Sequence, residues 1–159
     1  SRLSEVKGVP KIVGIDWRHR VLYQTFLVGR DLGSLMAKAG FSVSAQHQLS
    51  SVYPGMGAWS ATSCPQNRTA AVNTLQRVTD STFVRDLGVL VESIHQCGVV
   101  IGDVKFGNVI ITSGGVCLCD FDCGRIFTRN TTSFILARER DRDLCDYTFG
   151  SAFLVAHTS

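Results

Sequence analysis

"IGDVKFGNVIITSGGVCLCDFDCGR", residues 101–125, sets a few polar residues in a run dominated by Val, Ile and Cys. Within it, two short apolar segments at residues 108–112 and 116–120 flank Ser-Gly-Gly at residues 113–115. Apolar segments of this length on either side of a Gly-rich turn are typical of a tight hairpin. The stretch therefore predicts two short strands, with polar residues at the outer end of each.

Four of these polar residues are candidates for chemistry. Asp103 and Asn108 are five positions apart on the approach to the hairpin, Lys105 lies between them, and Asp120 ends the second strand. A turn with this spacing can aim a carboxylate at an incoming hydroxyl and an amide oxygen at a magnesium ion, and the hairpin can return Asp120 to the same place. Each residue also has an ordinary structural interpretation, because Asp and Asn commonly cap turns.

A helix is predicted immediately before this stretch. Residues 80–98 carry apolar side chains at i, i+4, i+7, i+8 and i+11, which gives one apolar face. These positions are Phe83, Leu87, Leu90, Val91 and Ile94. Asp80 or Ser81 suits the start of the helix and Gly98 its end.

The N-terminal part predicts a second hairpin and a short helix. Residues 11–17 and 20–28 are β-rich and flank a polar turn, which is typical of a hairpin. Residues 29–40 then have apolar residues at helical spacing, with Asp31 as the N-cap and Gly40 as the stop.

The other segments give weaker patterns. Residues 41–67 predict a long irregular connection, followed by a short helical piece in 68–78. Residues 126–142 are mixed and predict a loop, within which residues 138–143 alternate in charge and indicate a solvated segment. Residues 146–157 are apolar enough for a buried helix.

Composition and charge narrow the class of protein. The 159 residues suffice for one domain with a hydrophobic core, and 45% hydrophobic with 18% charged residues is typical of soluble globular proteins. The net charge is only +3 and the basic residues are scattered, so we expect no nucleic-acid surface. No apolar run approaches the roughly 18 residues of a membrane span. We therefore expect no membrane partner.

The first residues, SRLSEVKGVPK, contain no apolar signal-peptide core, and the chain does not begin with Met. The lack of a signal-peptide core predicts a cytoplasmic protein, and the lack of an initial Met predicts a processed or partial chain. The six cysteines are then expected to be free thiols in a reducing compartment. A zinc site that uses His95, Cys97 and the cysteines of the Cys-Leu-Cys-Asp-Phe-Asp-Cys run (117–123) is the alternative.

The order of helix, Gly, acidic loop, tight hairpin and Asp-Phe-Asp resembles the catalytic half of a protein kinase. Residues 101–108 match the kinase signature H-R-D-L-x-x-x-N at its Asp and Asn, and residues 120–122 stand for D-F-G. The resemblance implies an α+β fold, mainly helical with short hairpins at the N-terminus and at about 108–120. It implies a single partial domain over 1–159, in which 1–28 form the end of the small lobe with the hinge and 29–159 the large lobe.

The same resemblance assigns roles and ligands. Asp103 would be the catalytic base, Lys105 would neutralise charge on the transferred phosphoryl group, and Asn108 and Asp120 would bind magnesium. ATP would be the phosphoryl donor. Adenine would meet the backbone of the hinge residues Thr25, Phe26, Leu27 and Val28, above a helix opened by Asp31.

Several features depart from the kinase pattern. No G-x-G-x-x-G followed by a suitably placed Lys is present in these residues, although an active kinase needs both. Ile101 replaces the usual His of the catalytic loop. Cys145 stands where an anchoring Asp of the large-lobe helix is expected, with Asp143 and Asp146 on either side.

Three functions follow from the resemblance. The first is a Ser/Thr protein kinase that phosphorylates a protein hydroxyl, most similar to fungal-type and Crinkler-like effector kinases; an effector would act in the host cytoplasm or nucleus. The second is a pseudokinase that binds a protein partner. The third is a small-molecule kinase of the aminoglycoside type. An exposed surface between the lobes would also favour self-association.

Overall fold

The structure is a computed structural model that describes residues 2–41 and 65–150, and this part of the chain has an α+β fold. Its helices are α1 (Leu32–Lys38), α2 (Pro65–Val78), α3 (Phe83–Gln96) and α4 (Thr132–Phe149), with 3₁₀ turns at Arg2–Glu5 and Phe106–Asn108. Its strands are β1 (Ile12–Asp16), β2 (Val21–Gln24), β3 (Arg30–Asp31), β4 (Val99–Val100), β5 (Val109–Thr112), β6 (Gly115–Leu118) and β7 (Arg125–Ile126). The α+β prediction is confirmed.

The strands of the described residues form three small antiparallel sheets. β1 pairs with β2, β5 lies between β3 and β6, and β4 pairs with β7. Both predicted hairpins are therefore confirmed. Because Asp31 lies opposite Ile110 in the central sheet, the start of α1 is held beside the hairpin that carries the candidate residues.

α3 is the central helix, and it has the predicted amphipathic face. Its buried apolar side chains are Phe83, Leu87, Leu90, Val91 and Ile94. The Asp80 carboxylate accepts a hydrogen bond from the backbone N–H of Thr82 at 2.9 Å, just before the first turn. Gly98 follows the last turn with a φ of +78°, a left-handed conformation that suits glycine at a helix end.

α1 also forms as the sequence predicts. The Asp31 carboxylate accepts a hydrogen bond from the Ser34 backbone N–H at 2.7 Å, which caps the first turn. Leu32 and Met36 are fully buried on the inner face of the helix. A Cβ on Gly33 would lie 3.3 Å from Gly107 Cα, so α1 packs closely against the loop that precedes β5.

α4 corrects the prediction of a loop over residues 126–142. The helix begins at Thr132, and the Thr131 hydroxyl accepts a hydrogen bond from the Phe134 N–H at 3.2 Å. The charged run 138–143 lies within this helix and is not a uniformly solvated segment, because Asp141 is completely buried. An acidic residue on the buried face of α4 interrupts the apolar periodicity that would otherwise have predicted the helix.

Two predictions fall partly outside the described residues. The predicted connection over 41–67 lies outside them except at its ends, and α2 already begins at Pro65. The predicted helix over 146–157 coincides with the last turn of α4, and residues 151–159 are outside the described part.

Phe106 joins the loop before β5 to the rest of the core. Its ring meets the ring of Phe149 in an edge contact at 5.4 Å and that of Phe41 at 5.9 Å, measured between centroids. Phe149 in turn lies 6.2 Å from Phe83 of α3. α1, α3, α4 and the loop therefore share one apolar cluster, and the loop cannot shift without disturbing it.

We expect Phe106→Ala to lower the free energy of unfolding by about 3–5 kcal/mol, because it removes a buried ring and leaves a cavity. Phe26→Ala is the matched control. Phe26 is 88% exposed, so its truncation should change stability by less than about 0.5 kcal/mol. Urea denaturation measures both values, and equal losses for the two variants would contradict this description of the core.

Candidate active site

The loop before β5 turns successive side chains in opposite directions. Val104, Phe106 and Asn108 are buried, whereas Asp103 and Lys105 are only half-buried and border solvent. The apolar members anchor the loop in the core. This alternation leaves the carboxylate and the ammonium group together on the accessible side.

Asp103, Lys105 and Asn108 contact one another. Lys105 Nζ donates to Asp103 Oδ2 in a partly buried ion pair. Asn108 Nδ2 donates to the Asp103 backbone carbonyl at 3.0 Å and lies 3.4 Å from Asp103 Oδ2. Because Nδ2 is committed to Asp103, Oδ1 is the atom of this amide left to ligate a hard cation.

Asp120 lies at the other end of the hairpin, next to this cluster. The Cys119 N–H donates to the Asn108 carbonyl at 2.9 Å, which closes the base of the hairpin and sets Asp120 one residue from that contact. Asp120 is exposed and has a φ of +62°. A non-glycine residue in this left-handed region carries backbone strain, and such strain is concentrated at functional sites.

The charges of this cluster act on Lys105. Its pKa is raised above the ordinary lysine value, first by the hydrogen bond to Asp103 and then by the negative charges of Asp103 and Asp120, while partial burial opposes the shift. Lys105 therefore carries a positive charge at neutral pH. The site thus holds a cation that is paired with Asp103 and feels the charge of Asp120.

The buried carboxylate of Asp141 holds the backbone just before Asp103. Asp141 Oδ2 accepts from the Ile101 N–H at 2.8 Å, and Oδ1 accepts from the Gly102 N–H at 2.9 Å. Oδ2 also accepts from His95 Nε2 at 2.9 Å. Three donors thus converge on one carboxylate and fix the position of the loop relative to α3 and α4.

His95 has a structural role in this network. It is 1% exposed, and its Nδ1 lies 3.8 Å from Glu92 Oε2, too far for a hydrogen bond. Arg142 donates to Glu92 at 2.6 Å and therefore ties α4 to α3 beside the network. His95 orients the Asp141 carboxylate through the hydrogen bond of its Nε2.

The acid that holds the loop is Asp141, which lies one helical turn before Cys145. Burial, with the nearby charges of Asp141 and Asp146, raises the pKa of the Cys145 thiol well above its usual value, so this group stays a neutral core thiol. The signal that could have found Asp141 is its seven-residue spacing from Phe134 and four-residue spacing from Cys145, both buried.

Gly102 is required by the same arrangement. Its φ is +80°, and a Cβ at this position would lie 2.7 Å from the Cys123 carbonyl oxygen. Only glycine allows the loop and the segment after Asp120 to approach this closely. The approach keeps Asp103 beside the Asp-Phe-Asp turn.

The predicted nucleotide-binding residues lie between β2 and β3. The Thr25 N–H donates to the Lys11 carbonyl at 2.8 Å, and its hydroxyl accepts from the Lys11 N–H at 2.9 Å. Phe26 and Val28 are exposed, and Leu27 is half-buried. This segment leads directly into β3, which borders β5, but no described contact joins residues 25–28 to Asp103.

Asp31 has a demonstrated structural role as the N-cap of α1. Burial is the main cause that raises the pKa of the Cys119 thiol, and the negative charges of Asp120 and Asp31 add to it. Asp31 therefore lies near the base of the hairpin, on the side that faces α1. Its part in binding a nucleotide stays a prediction.

The donor set fits magnesium better than zinc. Magnesium is commonly bound by one or two carboxylates together with substrate phosphates, so Asp120 and the Asn108 amide oxygen are the atoms that could contribute to such a site. Within residues 2–41 and 65–150, no group of three His, Cys, Asp or Glu side chains could hold a metal ion. The five described cysteines are free thiols: Cys97, Cys117, Cys119, Cys123 and Cys145. Among the described residues, therefore, no group has the three ligands that the zinc alternative requires.

A separate groove of about 730 Å³ lies between α3 and the tip of the β5–β6 hairpin. Val89, Leu90 and Val116 contribute its apolar surface, and Glu5 and Lys7 contribute charge. None of its lining residues belongs to the cluster of Asp103, Lys105, Asn108 and Asp120.

Comparison with models of known protein families gives no match, and a search of curated proteins finds no related sequence. Among the helices of the described residues, none combines the length and apolarity that a bilayer crossing requires.

We expect Asp141→Ala to lower the free energy of unfolding by about 2–5 kcal/mol, because it leaves three donors unpaired in a buried site. Asp143→Ala, at an exposed position of the same helix, is the control and should cost less than about 0.5 kcal/mol. Guanidinium denaturation gives both values. A loss no larger than that of the control would show that the network contributes nothing to stability.

The Asp31 cap should make stability depend on pH. The pKa of Asp31 is lowered from 3.8, chiefly by its hydrogen bond to Ser34. The ionised carboxylate therefore stabilises the fold fully at pH values above 3.8, the pKa of the unfolded chain. This stabilisation is lost as the pH falls through the lower pKa of the folded state. Asp31→Ala should cost about 1 kcal/mol at neutral pH. Urea denaturation at neutral and acidic pH should show this cost shrinking in acid; a constant cost would exclude the charged cap.

Proposed function

We propose that this chain is a protein-kinase-like phosphotransferase domain that transfers the γ-phosphoryl group of ATP to a protein hydroxyl. The observation that carries the proposal is the convergence of Asp103, Lys105, Asn108 and Asp120 at the base of one hairpin, on a loop fixed by Asp141. In this proposal the described residues belong to the large lobe, and β1 and β2 belong to the end of the small lobe.

Asp103 is the general base. It is half-buried at the accessible side of the loop, where its carboxylate can accept the proton of an incoming hydroxyl as the oxygen attacks phosphorus. The bond from phosphorus to the bridging oxygen of ADP breaks as the new ester bond forms, and ADP leaves. Asp141, through the Ile101 and Gly102 N–H groups, positions Asp103 for this step.

Lys105 supports the transfer electrostatically. Its raised pKa keeps it charged, and its ammonium group next to Asp103 can compensate negative charge on the transferred phosphoryl group. Asn108 and Asp120 would hold magnesium, which when bound neutralises phosphate charge. Residues 25–28 would offer backbone groups to adenine, because they lead into β3 at the edge of the same sheet.

A binding module without catalysis is the second candidate. It is favoured by the Lys105–Asp103 ion pair, which occupies the carboxylate that should accept the proton. A third candidate, phosphorylation of a small-molecule hydroxyl, uses the same residues and differs only in the acceptor.

Formation of ADP from ATP with magnesium, in the presence of a protein or an aminoglycoside acceptor, tests these candidates. Asp103→Asn should lower the rate of transfer by about 10²–10⁴-fold and preserve nucleotide binding, because it removes only the base. Asp120→Asn should instead weaken magnesium-dependent nucleotide binding. Asp122→Asn, an exposed neighbour, is the control and should retain both properties.

The outcomes separate the candidates. Transfer to a protein supports the first, and transfer to the aminoglycoside alone supports the third. Binding of a specific protein partner, without magnesium-dependent ATP binding or transfer, supports the binding module. Absence of ATP binding, of transfer and of a protein partner, in protein whose fold is intact by circular dichroism, would contradict all three.

A further inference from the structure

Apolar side chains are concentrated on the exposed surface of the β1–β2 hairpin. Ile12, Val13 and Ile15 of β1 are 62%, 67% and 45% exposed. The β2 residues with exposed apolar side chains are Val21, Leu22 and Tyr23. Both faces of the hairpin therefore present apolar groups to solvent, unlike the hairpin of β5 and β6.

The hairpin also has no covering strand in the described residues. β1 and β2 form a sheet of their own, so the outer edge of each is unpaired within this part of the chain. A two-stranded sheet is marginally stable alone, and an apolar edge strand readily pairs with another chain. The observations point to an interaction surface.

The backbone hydrogen bonds identify which groups of this surface face outward. The Thr25 N–H donates to the Lys11 carbonyl, so Thr25 turns its backbone towards the β1 side. Alternate residues of an antiparallel strand face opposite neighbours. Leu22 and Gln24 therefore turn their backbone groups away from β1, to the outer edge of β2.

The β1 residues opposite Leu22 and Gln24 also turn their backbone groups outward. Ile12 lies opposite Gln24, and Ile15 lies opposite Leu22, with a bulge between Ile12 and Gly14. Because the bulge inserts one extra residue, the residues of β1 that face outward are three positions apart, where those of a regular strand are two apart. Ile12 and Ile15 thus present their N–H and C=O groups at the free edge of β1.

We propose that β1 pairs antiparallel with β1 of a second copy of this chain, around a two-fold axis. Ile12 then lies opposite Ile15 of the second copy, and each pair can exchange two backbone hydrogen bonds. The same register sets Lys11 opposite Asp16 of the second copy, so the edge is complementary in charge to itself. The pairing involves only the β1–β2 hairpin and none of Asp103, Lys105, Asn108 and Asp120.

The edge of β2 lacks this complementarity. Its flanking residues are Arg20 and Thr25, and Val21 to Gln24 include no acidic residue. Asp16 is moreover held in place, because its Oδ1 accepts from the Arg18 and His19 backbone N–H groups at 3.0 Å and its Oδ2 lies 2.8 Å from His19 Nδ1. β1 therefore has the Asp16 carboxylate at one end and Lys11 at the other. This arrangement favours a second copy of the chain as the partner of that edge.

Sedimentation velocity over a range of concentrations tests the proposal. The wild-type chain should reach twice the monomer mass, and Ile15→Pro should remain monomeric, because proline removes an outward N–H without breaking the β1–β2 ladder. Leu22→Pro is the matched control: it removes an outward N–H from the other edge and should still dimerise. Lys11→Glu should raise the dimer dissociation constant about tenfold.

Cross-linking provides a second measurement that does not require a proline variant to fold. After mild oxidation, a mixture of Ile12→Cys and Ile15→Cys chains should give a covalent dimer, whereas either variant alone should give only the wild-type background. Four results would each overturn the proposal. They are a wild-type chain that stays monomeric, a wild-type chain that forms open-ended oligomers, an Ile15→Pro variant that dimerises as the wild type does, and loss of the dimer in Leu22→Pro alone.

Discussion

The candidate site depends on one buried carboxylate. Asp141 is completely buried in α4 and accepts hydrogen bonds from the Ile101 and Gly102 N–H groups and from His95. A buried carboxylate is costly to desolvate, and this cost is offset only when several donors surround it. Here the donors come from the loop and from α3, so one group sets the distance between two helices and the loop that carries Asp103. Phe106 also anchors this loop in the core, through its contacts with Phe41 and Phe149.

The parts of the fold that local patterns control were predictable from the sequence. α3 follows from its apolar periodicity, α1 from the Asp31 cap, and the β5–β6 hairpin from its Gly-rich turn. α4 was not predicted, because arginines and acidic residues interrupt its apolar face and Asp141 occupies a core position. Helix propensity and tertiary packing override the charge pattern at that point.

The candidate site was predictable to a similar extent. Asp103, Lys105, Asn108 and Asp120 are close in sequence, and the hairpin between them explains their approach. The partners of Asp141 are 39, 40 and 46 residues away along the chain, and no local pattern in a single sequence reveals such a contact. The roles of residues 25–28 stay predictions for a similar reason, since contacts with a nucleotide are set by groups outside the protein.

The candidate site and the β1–β2 hairpin differ in how far their apolar side chains are buried. The candidate site rests on the apolar cluster of α1, α3, α4 and the hairpin, whereas β1 and β2 expose their apolar side chains. The apolar contacts that hold the candidate site therefore do not involve the exposed side chains of β1 and β2. Association would change the surroundings of residues 25–28, which continue directly from β2.

Electron paramagnetic resonance of Mn²⁺ in place of Mg²⁺ tests the central claim, that Asn108 and Asp120 hold a metal with a nucleotide beside a loop fixed by Asp141. With ATP present, the wild-type chain should bind Mn²⁺ and broaden its signal, and Asp120→Asn should lose this binding while Asp122→Asn keeps it. A signal from free Mn²⁺–ATP that is unchanged by the wild-type chain, or equal binding by Asp120→Asn, would contradict the claim.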